Sequence, residues 1–190
     1  MINDIALTIL GFAIHIYTLL VLLRFLLQAA KADFYNPISQ FIVKATNPVL
    51  MPLRKVVPGL FGVDFAAIVL AVLVQIVGIV LTHMLALGSV APNPLLYLVL
   101  GILGTLSVLL DFYFFAIIIL VIVSWISPGN RHDGTQLLYQ VTEPVMRPIR
   151  NIMPSAGGLD FSPMIAMLIL IILRSNVMPA VEAALIQLAR

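Results

Sequence analysis

The sequence predicts an all-α membrane fold: four transmembrane helices forming two parallel helix–loop–helix repeats, with amphipathic loop helices at the membrane interface. Three observations carry this prediction. The 190 residues are 62% hydrophobic and 9% charged, with a mean hydropathy of +1.16, where soluble domains hold about 45–50% apolar and about 25% charged residues. The apolar residues fall in runs long enough to cross a bilayer. The sequence also overlays itself when shifted by 96 residues.

A bilayer core takes about 20 apolar residues of helix. Four stretches reach that length, at 5–28, 65–87, within 95–126, and at 161–185. The third is 32 residues long and as one helix would reach roughly 48 Å. Either it tilts strongly, or 94–101 lies at the interface and the span occupies 102–126. The repeat favours the second arrangement. None of the runs alternates with the period of two that a membrane strand needs. Ala30-Lys31-Ala32 has the look of a signal-peptidase site, yet Met1-Ile2-Asn3-Asp4 carries no Lys or Arg. The first run also exceeds the roughly 7–15 apolar residues of a signal peptide, so it is expected to be a retained span.

Lys and Arg set the expected orientation. The segment after the first span carries Lys31, Lys44, Arg54 and Lys55, and the segment after the third carries Arg131, Arg147 and Arg150. The opposite side offers only Arg190 among basic side chains, so the balance is seven to one. By the positive-inside rule both large loops are cytoplasmic and both termini outside.

The repeat divides the chain at 1–93 and 94–190. Thr46 to Pro58 aligns with Thr142 to Pro154, and Gly62, Asp64 and Phe65 meet Gly158, Asp160 and Phe161; nine of 22 positions in this window are identical. The identities include three prolines, an arginine and an aspartate, which apolar composition cannot produce. Each unit holds two spans, so the copies are parallel, related by a pseudo-two-fold axis along the membrane normal.

Each loop opens with a short amphipathic helix. Ile38, Phe41, Ile42 and Ala45 recur at helical spacing, with Leu137, Leu138 and Val141 at matching places, and Asn36-Pro37 reads as a helix start. Such a helix lies on a membrane with Lys44 toward phosphates. Next comes Thr-x-Pro-x-x-x-Pro-x-Arg-x-x-x-Pro, at 46–58 and 142–154. Proline at its second site cannot donate to the preceding turn, so a kinked or broken connector is expected. Lys44, Arg54, Lys55, Arg147 and Arg150 are the candidate lipid- or partner-binding residues, since a guanidinium grips phosphate or carboxylate in a bidentate way. Asp64 and Asp160 sit where they can cap the second and fourth spans, or bridge to the nearby arginines.

Ionisable groups at membrane depth are candidates for function. His15, Asp111 and Arg174 stand out, and counting from the loop ends of their helices puts all three at about 20 Å depth. His15 and Asp111 differ by 96 and so occupy equivalent places. An Asp111–Arg174 pair is geometrically allowed, with His15 near the axis and Gln75 able to join; the competing reading is that Arg174 snorkels and the others make interhelical hydrogen bonds. Ser124-Trp125 reads as an interface anchor. The chain has no cysteine, which excludes disulfides and thiol chemistry. His83 and His132 add no metal-ligand spacing, and no nucleotide or hydrolase motif is present. A net charge of +2 gives no nucleic-acid field. No cofactor, no metal, no catalytic set and no nucleic-acid partner is expected.

Several of these stretches together resemble one family. Asp33-Phe34-Tyr35-Asn36-Pro37, Gln40-Phe41, Pro48 through Arg54, Ser124-Trp125, Pro144 through Arg150, and Gly157 through Met164 resemble the YggT (YlmG) family over essentially the whole chain. The resemblance implies a bacterial inner-membrane protein, with family links to osmotic stress, ion homeostasis and cell division. It implies no catalytic residues. The expected function is a non-enzymatic scaffold or assembly factor whose basic loops bind anionic lipid headgroups and a membrane or cytoplasmic partner. The alternative is a small, homo-oligomeric channel or transporter using His15, Asp111 and Arg174.

Overall fold

The computed structural model describes residues 2–59, 64–90, 93–127, 129, 132–152 and 160–188. The expectations that rest on Gly62, Arg131, Met153, Pro154, Gly158 and Arg190 lie outside the described residues. The described residues are helical, with no strand among them. In order they form α1 (Ile2–Ala29), α2 (Pro37–Arg54), α3 (Phe65–Leu87), α4 (Pro94–Ile126), α5 (Asp133–Ile152), α6 (Ser162–Ile172), a π turn (Leu173–Val177) and α7 (Met178–Leu188). Four helical stretches are long and apolar enough to cross a membrane: α1, α3, α4, and α6 through α7 taken together.

Local chemistry sets the boundaries. Lys31 takes the left-handed conformation, φ 52°, where α1 ends. Asn36 caps α2, its Oδ1 accepting from the Ile38 amide at 2.9 Å with Pro37 in the first turn. Gly88 closes α3 in the left-handed region that glycine enters without strain. Asn93 then caps α4 before Pro94.

Residues 94–101 and 102–126 form one continuous helix, and the first of them pack along α3: Tyr97 is buried and lies 3.0 Å from His83 Nδ1, and a Cβ on Gly101 would sit 3.2 Å from the Val72 carbonyl oxygen. One expectation is corrected here. The loops do not break at their prolines. α2 runs through Pro48 and Pro52, and α5 through Pro144 and Pro148. All four prolines are on exposed faces, where carbonyls left without a donor face away from the bundle. The buried stripe of Ser39, Ile42, Thr46 and Leu50 holds α2 against its spans, and Leu137, Val141, Thr142 and Met146 hold α5. Thr46 and Thr142 hydroxyls donate back to the carbonyls four residues earlier, Ile42 and Leu138, at 2.7 Å.

The packing repeats by halves. α2 wedges between α1 and α3, and α5 between α4 and α6. One apolar cluster, with Val21, Leu50 and Ala67, seals the first trio, and another, with Ile117, Met146 and Ala166, holds the second. A third cluster, with Leu26, Ile42 and Leu137, joins the halves. Two hydrogen bonds clasp them nearby, Asn36 Nδ2 to the Asp133 carbonyl (3.0 Å) and the Asp33 amide to Gln140 Oε1 (3.1 Å). Among the described residues, α4 touches every other helix except α2, whereas α6 and α7 touch only α4, α5 and the π turn.

Candidate functional site

Polar groups gather at two levels. The first is the end of the bundle where α2 and α5 lie. There Arg54 donates to the Asp64 carboxylate, and Asp64 is only 4% exposed. Asp64 stands at the cap position of α3 but makes no side-chain cap bond; its expected capping role yields to the guanidinium, which offers a buried carboxylate the stronger, charge-assisted partner. Arg24 of α1 lies within electrostatic reach of both groups, and its Nε is buried with no hydrogen-bond partner among the described residues. Arg24 was not legible as a site residue. It sits near the end of a long apolar run, and the available signal was that its counterpart 96 residues on is Leu120.

The second half arranges the same positions otherwise. Arg150 pairs with Glu143 of its own helix, and both are exposed. Asp160 is exposed, and its Oδ1 accepts from the Ser162 amide (2.9 Å) and hydroxyl (2.5 Å), as an aspartate at the start of a helix does. A cavity of about 660 Å³ opens between α4, α5 and α6, with Arg150 and Asp160 in its lining. Lys44, Lys55 and Arg147 point outward from α2, the turn after it, and α5. Apolar Phe41, Val49 and Met51 are exposed alongside them.

The second level is the middle of the long helices. Arg174 Nε lies 2.7 Å from Asp111 Oδ1, with the arginine 49% and the aspartate 21% exposed. The contact lacks hydrogen-bond alignment at that oxygen, so it acts through charge. Arg174 is in the π turn, where the Met178 amide bonds the Leu173 carbonyl five residues back. Pro179 follows and has no amide for the Ser175 carbonyl, so the turn before it widens. His15 does not touch this pair directly. It lines a cavity of about 350 Å³ between α1, α3 and α4, shared with Gln75, Thr82, Ser107 and Asp111. Gln75 Nε2 donates to Thr18 Oγ1 at 3.1 Å in the same region. Asp111 therefore has Arg174 on one side and the polar cavity on the other.

The structure thus brings Arg54 to Asp64 and Asp111 to Arg174. It gathers His15 and Gln75 around Asp111, leaves Lys44, Lys55 and Arg147 outside, and separates Arg150 from any bond to Asp160 among the described residues.

The CCB3/YggT family model matches the chain twice, over residues 3–85 and 99–181, so the two matches begin 96 residues apart. A Pseudomonas aeruginosa protein, uncharacterized protein PA0392, is 46% identical over 168 residues, covering 88% of this chain and 85% of its own length. Uncharacterized protein YggT of Escherichia coli K12 is 35% identical over 175 residues, covering 92% and 90%. An uncharacterized protein of Haemophilus influenzae is 36% identical over 165 residues, covering 87% of each chain. No solved structure matches. With four helices able to span a membrane and a family match in each half, this chain belongs to the CCB3/YggT family.

Proposed function

We propose that this protein is a non-enzymatic scaffold or assembly factor of the bacterial inner membrane, with both loop helices on the cytoplasmic face and both termini outside. One observation carries this reading. At one end of the bundle, α2 and α5 bury one face between spans and present the other outward, with cations and large apolar side chains side by side. Lys44, Lys55 and Arg147 meet anionic headgroups, and Phe41, Val49 and Met51 enter the headgroup–acyl boundary or a partner's groove. Arg54 is tied to Asp64 and Arg150 to Glu143, so the lipid-facing charge falls to the other three.

The test is photo-crosslinking from positions 41 and 147 in intact membranes. A discrete protein adduct from both positions is expected; lipid adducts alone would sink the scaffold reading. A C-terminal reporter active only in the cytoplasm would overturn the orientation.

A second reading draws on the polar cavity beside Asp111. A membrane-embedded carboxylate with His15 across a cavity suits a proton or cation path. In liposomes, flux that disappears in Asp111→Asn would favour it over the scaffold.

A further inference from the structure

The repeat provides an internal control for one cavity. Around the carboxylate that opens the returning span, the first half places Arg24, Arg54 and Asp64, and the second half places Leu120, Arg150 and Asp160. In the first half Asp64 is buried on Arg54, with Arg24 in reach. In the second half the guanidinium of Arg24 is replaced by the shorter, neutral Leu120. Arg150 turns to Glu143, no cation pairs with Asp160 among the described residues, and about 660 Å³ stays open. That volume lies within the range of small-molecule sites, about 300–1,000 Å³.

We propose that this cleft binds one phospholipid with a primary-ammonium headgroup. The ammonium takes, at Asp160, the place that Arg24 and Arg54 take at Asp64. The first methylenes of the acyl chains run along Ile117, Leu120, Met164 and Met167, all of which line the cleft. Trp125 and Tyr139, also in the lining, have the amphipathic rings that mark headgroup depth. Methionine suits such a wall because its unbranched, flexible side chain adapts to a chain that is itself mobile. A trimethylated headgroup has the charge but no N–H to donate to a carboxylate, and an anionic headgroup without an amine meets Asp160 with like charge. The cleft therefore selects phosphatidylethanolamine over phosphatidylcholine and phosphatidylglycerol. This inference does not depend on a protein docking at the loops.

The experiment is native mass spectrometry of the full-length protein released from nanodiscs holding equal amounts of the three lipids. The wild type is expected to retain phosphatidylethanolamine about tenfold over phosphatidylcholine, the ratio that one charge-assisted hydrogen bond supplies. Asp160→Asn should remove that preference. Leu120→Arg should remove it too, by restoring the first half's own cation, while Lys44→Gln should leave it intact. Equal retention of the three lipids, phosphatidylglycerol above phosphatidylethanolamine, or an unchanged preference in Asp160→Asn would each overturn the proposal. Should Leu120→Arg lose its helicity, Asp160→Asn decides alone.

Discussion

In the first half of the chain the two spans meet at mid-height through a glycine; in the second an ion pair crosses the equivalent seam. At mid-height Gly78 of α3 faces Ile14 of α1 so closely that a Cβ would sit 2.7 Å from Ile14 Cγ2. The counterpart of Gly78 is Arg174, which reaches Asp111 across the equivalent seam from a widened turn. At the loop end the first half buries Asp64 on Arg54, while the second leaves Asp160 exposed beside an open cleft. At these two levels the first half thus brings backbone or a buried ion pair where the second places an exposed charge. Helices in lipid gain little from apolar burial, and close backbone approach at small residues substitutes for it. The first half has that approach at Gly78.

The sharpest way to break the comparison is to remove the two aspartates in turn. Asp64→Asn strands Arg54 and Arg24 without their carboxylate and should cost about 3 kcal/mol, the lower end for breaking a buried pair because Arg54 is 35% exposed. Asp160→Asn keeps an Oδ1 that can accept from the Ser162 amide, so it should cost less than about 0.5 kcal/mol. Thermal unfolding of both variants in the same detergent measures the gap; equal losses would mean the halves are not differently sealed. Next in size is Gly78→Leu, which overpacks the α1–α3 seam and should cost about 2 kcal/mol. Gly11→Leu is its control, since a Cβ there meets nothing within 4 Å, and its melting temperature should stay put. Smallest is Lys44→Gln with Lys55→Gln. Both lysines are exposed, and together they should shift stability by less than about 0.5 kcal/mol. Their effect should appear as weaker association of the protein with anionic vesicles, and only at low salt.

Sequence reasoning found the spans because their signal is long and additive: 65–87 coincides with α3. It allowed an Asp111–Arg174 pair, because depth along a helix follows from counting residues, and left a snorkelling Arg174 open beside it. It failed where a local rule meets a packed surface. Pro52 and Pro148 break isolated helices, yet here the stripes ending at Leu50 and Met146 outweigh them. The π turn at Arg174 left only Pro179 as a trace. Arg24 and Glu143 are ordinary in sequence, and only their neighbours in space give them roles. The cleft beside Asp160 is a difference between two copies, visible as Arg24 against Leu120 but without meaning until the surrounding helices are in place.

The unequal lengths of neighbouring helices have a mechanical consequence. α3 has 23 residues and α4 has 33, about 35 Å and 50 Å of helix set in a hydrocarbon layer of about 30 Å. Held within that layer, α3 leans less than α4. A change in bilayer thickness alters the mismatch of both helices by the same length but turns them through different angles, which becomes shear along the seam at Gly101 and Gly104, where the α4 backbone lies against Ile76 and Gln75 of α3. Because α4 also touches α1, α5, α6 and α7, a change in membrane thickness reaches both halves of the molecule through a single helix.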